Sequence, residues 1–172
     1  MKIVGKNFNT TNEMLDQFSS SYLTCGLESL KQIPNNSVDL VFSQAVLEHI
    51  PKSEFYETLI EIHRILKKEG ICSHVIDLRD HLENGLNNLR FSERFWESNF
   101  IRGSGFYTNR LRKKEMLELF KIVGFNVSVL NVTKWDKMPI KRSKLATHFN
   151  NFSDEELCVS TFSVKLELAS HQ

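Results

Sequence analysis

Cysteine, proline and glycine are all scarce in this chain of 172 residues, with three, three and seven copies, and each shortage excludes something. Cys25, Cys72 and Cys158 are odd in number, far apart and in no ligand-like spacing. That excludes a disulfide-stapled secreted scaffold and a cysteine zinc site, and it predicts reduced thiols in the cytoplasm. So little Gly and Pro excludes collagen-like and low-complexity chains. No apolar run approaches the ~20 residues of a membrane span, and Met1 to Gly5 lacks the apolar stretch of a signal peptide. Charge of one sign is lacking too. The net charge is +1, so no global field draws the chain toward nucleic acid or an anionic membrane.

What is present is the balance of a soluble globular domain, 41% apolar and 25% charged residues. Basic residues cluster at Lys137 to Lys144 and at Arg102, Arg110, Arg112, Lys113 and Lys114, without interleaved aromatics. They read as solvated loop and helix faces.

The opening residues are weakly patterned, with a strand remnant at Ile3-Val4 and a helical turn or two over Glu13 to Phe18. The Ile33-Pro34-Asn35-Asn36-Ser37 turn leads into Val38-Asp39-Leu40-Val41-Phe42. That run is apolar on both faces, as expected of a strand covered by helices on each side. Phe55, Leu59, Ile62 and Leu66 form one stripe of a helix over 54–68. Ser53 is placed to cap it, Lys67 and Lys68 suit its negative end, and Gly70 is its expected stop. Ile71 to Ile76 reads as a second buried strand, completing a right-handed βαβ unit. A long aperiodic stretch, Asp77 to Tyr107, follows, then a helix over 112–123 stopped by Gly124 and strands over 125–132 and 157–166. These segments predict an α/β fold with a parallel pair and an antiparallel final pair.

The run from Ile33 to Ile50, with Ser37-Val38-Asp39-Leu40-Val41 and then Leu47-Glu48-His49, resembles the fourth-strand region of small-molecule S-adenosylmethionine-dependent methyltransferases. Arg64 to Gly70 is similar to that family's R-x-L-K-P-G-G, with Lys68 and Glu69 in place of Pro-Gly, and Val123-Gly124-Phe125 is similar to its A-G-F turn. The resemblance implies a Rossmann-like sheet with flanking helices and a methyltransferase-like domain over 26–172, after an irregular segment over 1–25. The chain departs from the family at its front end. No Gly-x-Gly precedes the fourth-strand motif, so the resemblance implies a truncated fold, lacking the first strands and the Gly-rich loop that cradles the cofactor. Loss of about three hydrogen bonds at ~1–1.5 kcal/mol each would weaken cofactor binding roughly 10²–10³-fold. It would also leave one edge of the 38–42 strand unpaired, an apolar site for a protein partner or self-association.

By the same resemblance, Gly26, Leu27 and Glu28 approach the adenine of S-adenosylmethionine, and Ser43, Gln44 and Ala45 face its methionine portion. From the residues themselves, His81 is the preferred general base, its tautomer set by Asp77 or Asp80, because they leave the carboxyl end of a parallel strand. His49 is a second candidate, against the alternative of a histidine that fixes its own turn. Glu48 is an acceptor-side acid or a helix-start charge. His74, Asp77, Asp80 and His81 crowd together, but His74 lies inside a strand, so no metal site is expected. Asn87, Asn88, Arg90, Trp96, Phe106, Tyr107, Asn109 and Arg110 suit either a surface for a polar, sugar-like acceptor or a lid packed on its own core. Gly103-Ser104-Gly105 is a hinge or a turn. The function expected is cytoplasmic methyl transfer to oxygen or nitrogen of a small polar molecule; the alternative is a non-catalytic module that binds a partner.

Overall fold

A computed structural model describes residues 8–169; Ile3-Val4 lies outside them. Four strands, β1 (Val38–Gln44), β2 (Leu66–Asp77), β3 (Phe125–Lys134) and β4 (Val159–Leu168), form one sheet in the order β1-β2-β4-β3. β1 and β2 are parallel, and β4 runs antiparallel to both of its neighbours. The parallel pair and the antiparallel final pair are both as expected.

Helix α3 (Lys52–Ile65) makes the crossover between β1 and β2, and α6 (Lys113–Val123) precedes β3. Phe55, Leu59 and Ile62 of α3 and Met116 and Phe120 of α6 pack with Cys72, Ile76, Val164 and Leu166 of the sheet. Burial of these side chains, at ~25 cal/mol per Å² of apolar surface, is the main term holding the layers together. α6 stops at Gly124, whose φ of 108° is open to glycine and strained for other residues.

The expected boundary between helix and strand moves. α3 ends at Ile65, and Leu66 turns extended and begins β2 opposite Val38. The reason is burial: Leu66 is 0% exposed and serves the core from the strand. Lys67, Lys68 and Gly70 therefore lie in β2. Gly70 makes room instead of stopping a helix, since a Cβ there would lie 2.9 Å from Leu66 Cδ1. Ser53 does not cap α3. Pro51 holds that position, and the Lys52 backbone N–H donates to the Tyr107 hydroxyl at 3.1 Å.

The 77–107 stretch holds a 3-10 turn, Asn87–Arg90, and two short helices, α4 (Glu93–Trp96) and α5 (Asn99–Arg102). A second small core, Leu86, Leu89, Ile140, Leu145, Phe149 and Leu157, anchors it. The strand expected from 157 starts at Val159, because Ser153 caps one more helix, α7 (Asp154–Leu157), with Asp154, Glu155 and Glu156 in its first turn. Upstream, α1 (Thr11–Gln17) buries none of its residues, while α2 (Leu27–Lys31) packs on α3. The Arg64 guanidinium ties the α2 end by donating to the carbonyls of Leu30 and Ile33.

β1 is not covered on both sides. Val41 packs on the core, but Leu40 and Phe42, on the opposite face, are 52% and 76% exposed. Among the described residues no helix is long and apolar enough to cross a membrane.

Candidate active site at the carboxyl ends of the parallel strands

β1 ends at Gln44, and Ala45 then takes a left-handed φ of 52° that turns the chain into a 3-10 turn, Leu47–His49. Asn109 fixes this turn from a distant segment. Its Nδ2 donates to the carbonyls of Leu47 at 2.8 Å and Ile50 at 3.0 Å, and its backbone N–H donates to the Glu48 carbonyl at 2.7 Å. Glu48 is 3% exposed and spans the strand ends, its Oε1 accepting the Asp77 backbone N–H at 3.3 Å. Burial pushes the Glu48 carboxyl up, and its Oε2 is buried without a protein partner.

His49 and His81 meet across the crevice, with Nε2 atoms 3.3 Å apart and rings within 16° of parallel. His49 Nδ1 lies 3.1 Å from the Tyr107 carbonyl oxygen. A carbonyl only accepts, so His49 Nδ1 carries the proton and its Nε2 presents a lone pair. His81 Nε2 must then donate, which leaves His81 Nδ1 as the acceptor nitrogen of a neutral pair. Both histidines are exposed. The partner of His81 is thus His49, not Asp77 or Asp80 as expected. Asp77 is occupied by Arg79, 2.6 Å from its Oδ2. Burial would raise the Asp77 carboxyl, but the Arg79 contacts hold it below the usual range. Asp80 is 1% exposed and folds its own loop, accepting backbone N–H groups of Leu82, Glu83 and Asn87.

His74 stays apart from His81. It is 1% exposed inside β2, and its Nδ1 lies 2.7 Å from the Ser43 hydroxyl of β1. Burial brings its pKa down to about 4, so it is neutral at pH 7.

The residues expected to face the cofactor give one partial wall. The Ser43 hydroxyl is taken by His74, and the Glu28 carboxylate by Lys31 at 2.9 Å. Gln44 and Ala45 are exposed, and at Gly26, with φ 52°, a Cβ would meet nothing within 4 Å. Leu27 opens α2, which packs on α3. These side chains alone do not form an S-adenosylmethionine cradle. An open cavity of about 830 Å³ is lined by Asn36, His63, Lys68 and Gly124 and lies at the other end of the strands.

The expected acceptor surface is largely interior. Asn88, Trp96, Tyr107, Asn109 and Arg110 are each 5% exposed or less. The Arg110 guanidinium sits 5.3 Å from the rings of both Trp96 and Phe149 and 2.6 Å from Glu93. Arg112 is buried as well, donating to the carbonyls of Leu78, Leu157 and Val159. Reading these two arginines as solvated is therefore wrong. Aromatic faces and carbonyl clusters desolvate guanidinium at little cost, and net charge does not reveal them. The sequence reading also missed Tyr107 and Asn109 as the groups that orient His49 and its turn. Their partners are distant in the chain and carry no local pattern.

Residues 4–73 match a family model described as a methyltransferase domain. No curated protein matches the sequence. The fold is similar to an S-adenosylmethionine-dependent methyltransferase from Archaeoglobus fulgidus, with TM-score 0.50 and 11% identity over 86% of this chain and 66% of that one. It is also similar to the YcgJ protein of Bacillus subtilis, with TM-score 0.52 and 16% identity over 93% of this chain and 77% of that one. An arsenic(III) S-adenosylmethionine methyltransferase from Chlamydomonas reinhardtii gives TM-score 0.51 and 15% identity over 88% and 44%. The chain thus spans just under two thirds of the first of these and less than half of the last. Residues 4–73 thus match a methyltransferase domain, and the sheet shares the fold of Rossmann-like S-adenosylmethionine-dependent methyltransferases.

Proposed function

We propose that the chain serves S-adenosylmethionine-dependent methyl transfer to an oxygen or nitrogen of a small polar acceptor in the cytoplasm, with 26–172 as its methyltransferase-like domain. The observation that carries this reading is the His49–His81 hydrogen bond at the carboxyl ends of β1 and β2, where open α/β sheets bind ligands. When bound, the cofactor supplies the electrophilic methyl group. His81 Nδ1 takes the proton of the acceptor's hydroxyl or amine. His49 holds His81 in that tautomer, and the Tyr107 carbonyl holds His49. Asp77, two residues before Arg79, adds negative charge near the imidazolium that forms. Gly26, Leu27, Glu28, Ser43, Gln44 and Ala45 are assigned to the cofactor side. Free Cys25, Cys72 and Cys158 suit a reducing compartment.

The test is transfer of a labelled methyl group from S-adenosylmethionine to a panel of small hydroxy and amino compounds, alongside calorimetry with S-adenosylhomocysteine. Product formation is expected, with His81→Ala lowering turnover at least ~10²-fold. His49→Ala should lower kcat with little change in KM. Near-normal turnover of His81→Ala would remove it as the base. No binding and no product even at millimolar cofactor would favour a second reading, a non-catalytic module that binds a protein. The uncovered face at Leu40 and Phe42 supports that reading.

A further inference from the structure

The open side of β1 has the geometry of a self-pairing edge, and we infer that two copies of this chain join there, antiparallel, about a two-fold axis through Val41. The inference gives the interaction reading a partner and a register, and it does not depend on catalysis.

Among the described residues β1 is terminal in the sheet, with β2 as its hydrogen-bonded neighbour. Leu40 to Gln44 pair in unbroken register with Ile71 to Val75, and the Ala45 N–H donates to the Val75 carbonyl at 2.9 Å. Backbone groups alternate along a strand, so Val41 and Ser43 also point at β2. Leu40, Phe42 and Gln44 therefore aim their N–H and C=O groups outward. No proline, lysine or bulge interrupts Leu40 to Gln44, the devices that usually blunt an edge. β3, the edge at the other end of the sheet, does carry such devices, with register breaks at Val129/Asn131 and Thr133/Lys134 and a lysine at its end.

The side chains favour the same edge. On the uncovered face, Leu40 and Phe42 adjoin Ile71 and Val75, which are 37% and 41% exposed. Farther from β1 the same face turns polar, through Ser163, Lys165 and Glu167 of β4 to Asn126 and Ser128 of β3. The apolar area is thus concentrated against the free edge.

Two identical edges related by a two-fold axis meet antiparallel. An axis at Val41 places Leu40 opposite the partner's Phe42 twice over. Both pairs have outward backbone groups, so each exchanges two hydrogen bonds, four in all. Asp39, the one charge on β1, then faces Ser43, and no like charges oppose. An axis at Phe42 would instead set Leu40 against Gln44, and one at Leu40 would set Phe42 against Val38. Val41 is the centre that matches the two most exposed apolar side chains of β1. The result is one continuous eight-stranded sheet with an apolar stripe across its middle. Edge pairing covers little area, which places the complex among weak interfaces.

Analytical ultracentrifugation of the full chain over micromolar to hundreds of micromolar concentration tests this. A monomer–dimer equilibrium is expected. Phe42→Lys should weaken it at least ~10²-fold, and so should Phe42→Pro, which removes an outward N–H and leaves the β1–β2 ladder intact. Leu130→Lys, on the β3 edge, should leave it unchanged. Facing Val41 residues form a non-hydrogen-bonded pair with Cα atoms ~4.5 Å apart, close enough for a disulfide. A Cys25→Ser/Cys72→Ala/Val41→Cys variant, which also removes the thiol paired beside Val41 in β2, should therefore oxidise to a covalent dimer. Monomer at every concentration, or dissociation by Leu130→Lys instead of Phe42→Lys, would overturn the proposal. A dimer that dissolves with Phe42→Lys but yields no Val41→Cys disulfide would overturn the Val41 axis. Neither result touches the binding of S-adenosylhomocysteine, which tests the catalytic reading separately.

Discussion

The Ser43 hydroxyl and His74 Nδ1, 31 positions apart in sequence, lie 2.7 Å apart between β1 and β2, and His74 Nε2 is buried without a protein partner. Burial holds the ring neutral, with its pKa lowered from 6.5 to about 4. The unfolded chain takes up a proton below pH 6.5 that the folded chain refuses until about pH 4. Stability must therefore fall as pH drops through that window and is unaffected by this group above it. By pH 5 the loss is about 2 kcal/mol. A Ser43→Ala/His74→Leu double variant removes both polar partners together and should lose this acid slope. Urea midpoints of the two proteins at pH 7 and pH 5 measure it.

Arg112 should be the costliest single position in the fold. Its guanidinium is fully enclosed and donates to Val159 O at 2.7 Å and to Leu78 O and Leu157 O at 3.2 Å, joining the residue just after β2 to α7 and β4. Burial lowers its pKa to about 10, still charged at pH 7. Arg112→Met strands three carbonyls and should cost roughly 3–5 kcal/mol. Arg112→Lys, which cannot fork to three acceptors, should recover only part of it. Chemical denaturation of the three proteins gives the order.

Gly124→Ala should destabilise by roughly 1–3 kcal/mol. The position combines φ of 108° with His63 Nε2 only 3.1 Å from where the Cβ would sit. Gly105 has open space at the corresponding point, so Gly105→Ala should be nearly neutral. Thermal melts of the pair separate backbone strain from a general intolerance of alanine.

Tyr107→Phe removes two contacts, the one with the Lys52 N–H at 3.1 Å and the donation to Glu97 Oε2 at 2.9 Å. A loss of about 1–2 kcal/mol is expected. The carbonyl that orients His49 belongs to the backbone and survives, so the kcat of any measured transfer should change far less than in His49→Ala. Comparing urea midpoints with kcat for both variants checks the separation.

Much of the sheet was legible because its signals are local. The Pro34 turn, the Val38 to Phe42 run and the Phe55-Leu59-Ile62 stripe each state one element, and the structure has all three. The boundary at Leu66 was not legible, since a leucine extends the helical stripe as well as it begins a buried strand. His49 and His81 were recognisable as candidates from their place after the two strands. Their pairing depended on how the 77–107 stretch folds, and that stretch is held by long-range contacts such as Asn109 to Leu47 and Trp96 to Thr108. Asp77 and Asp80 misled because carboxylates near a histidine are common partners in sequence, whereas here Arg79 and backbone N–H groups claim them first.

Because α3 passes into β2 at Leu66 with no intervening loop, the crossover has no slack at that end. Helix and strand move as a single lever whose fulcrum is a fully enclosed leucine. A tilt of α3 would be transmitted along β2 to Asp77 and the Glu48 carboxyl that receives its N–H. Inserting one residue between Ile65 and Leu66 would swap the faces of β2, bringing Cys72 and His74 to the surface and driving Ser73 and Val75 into the core.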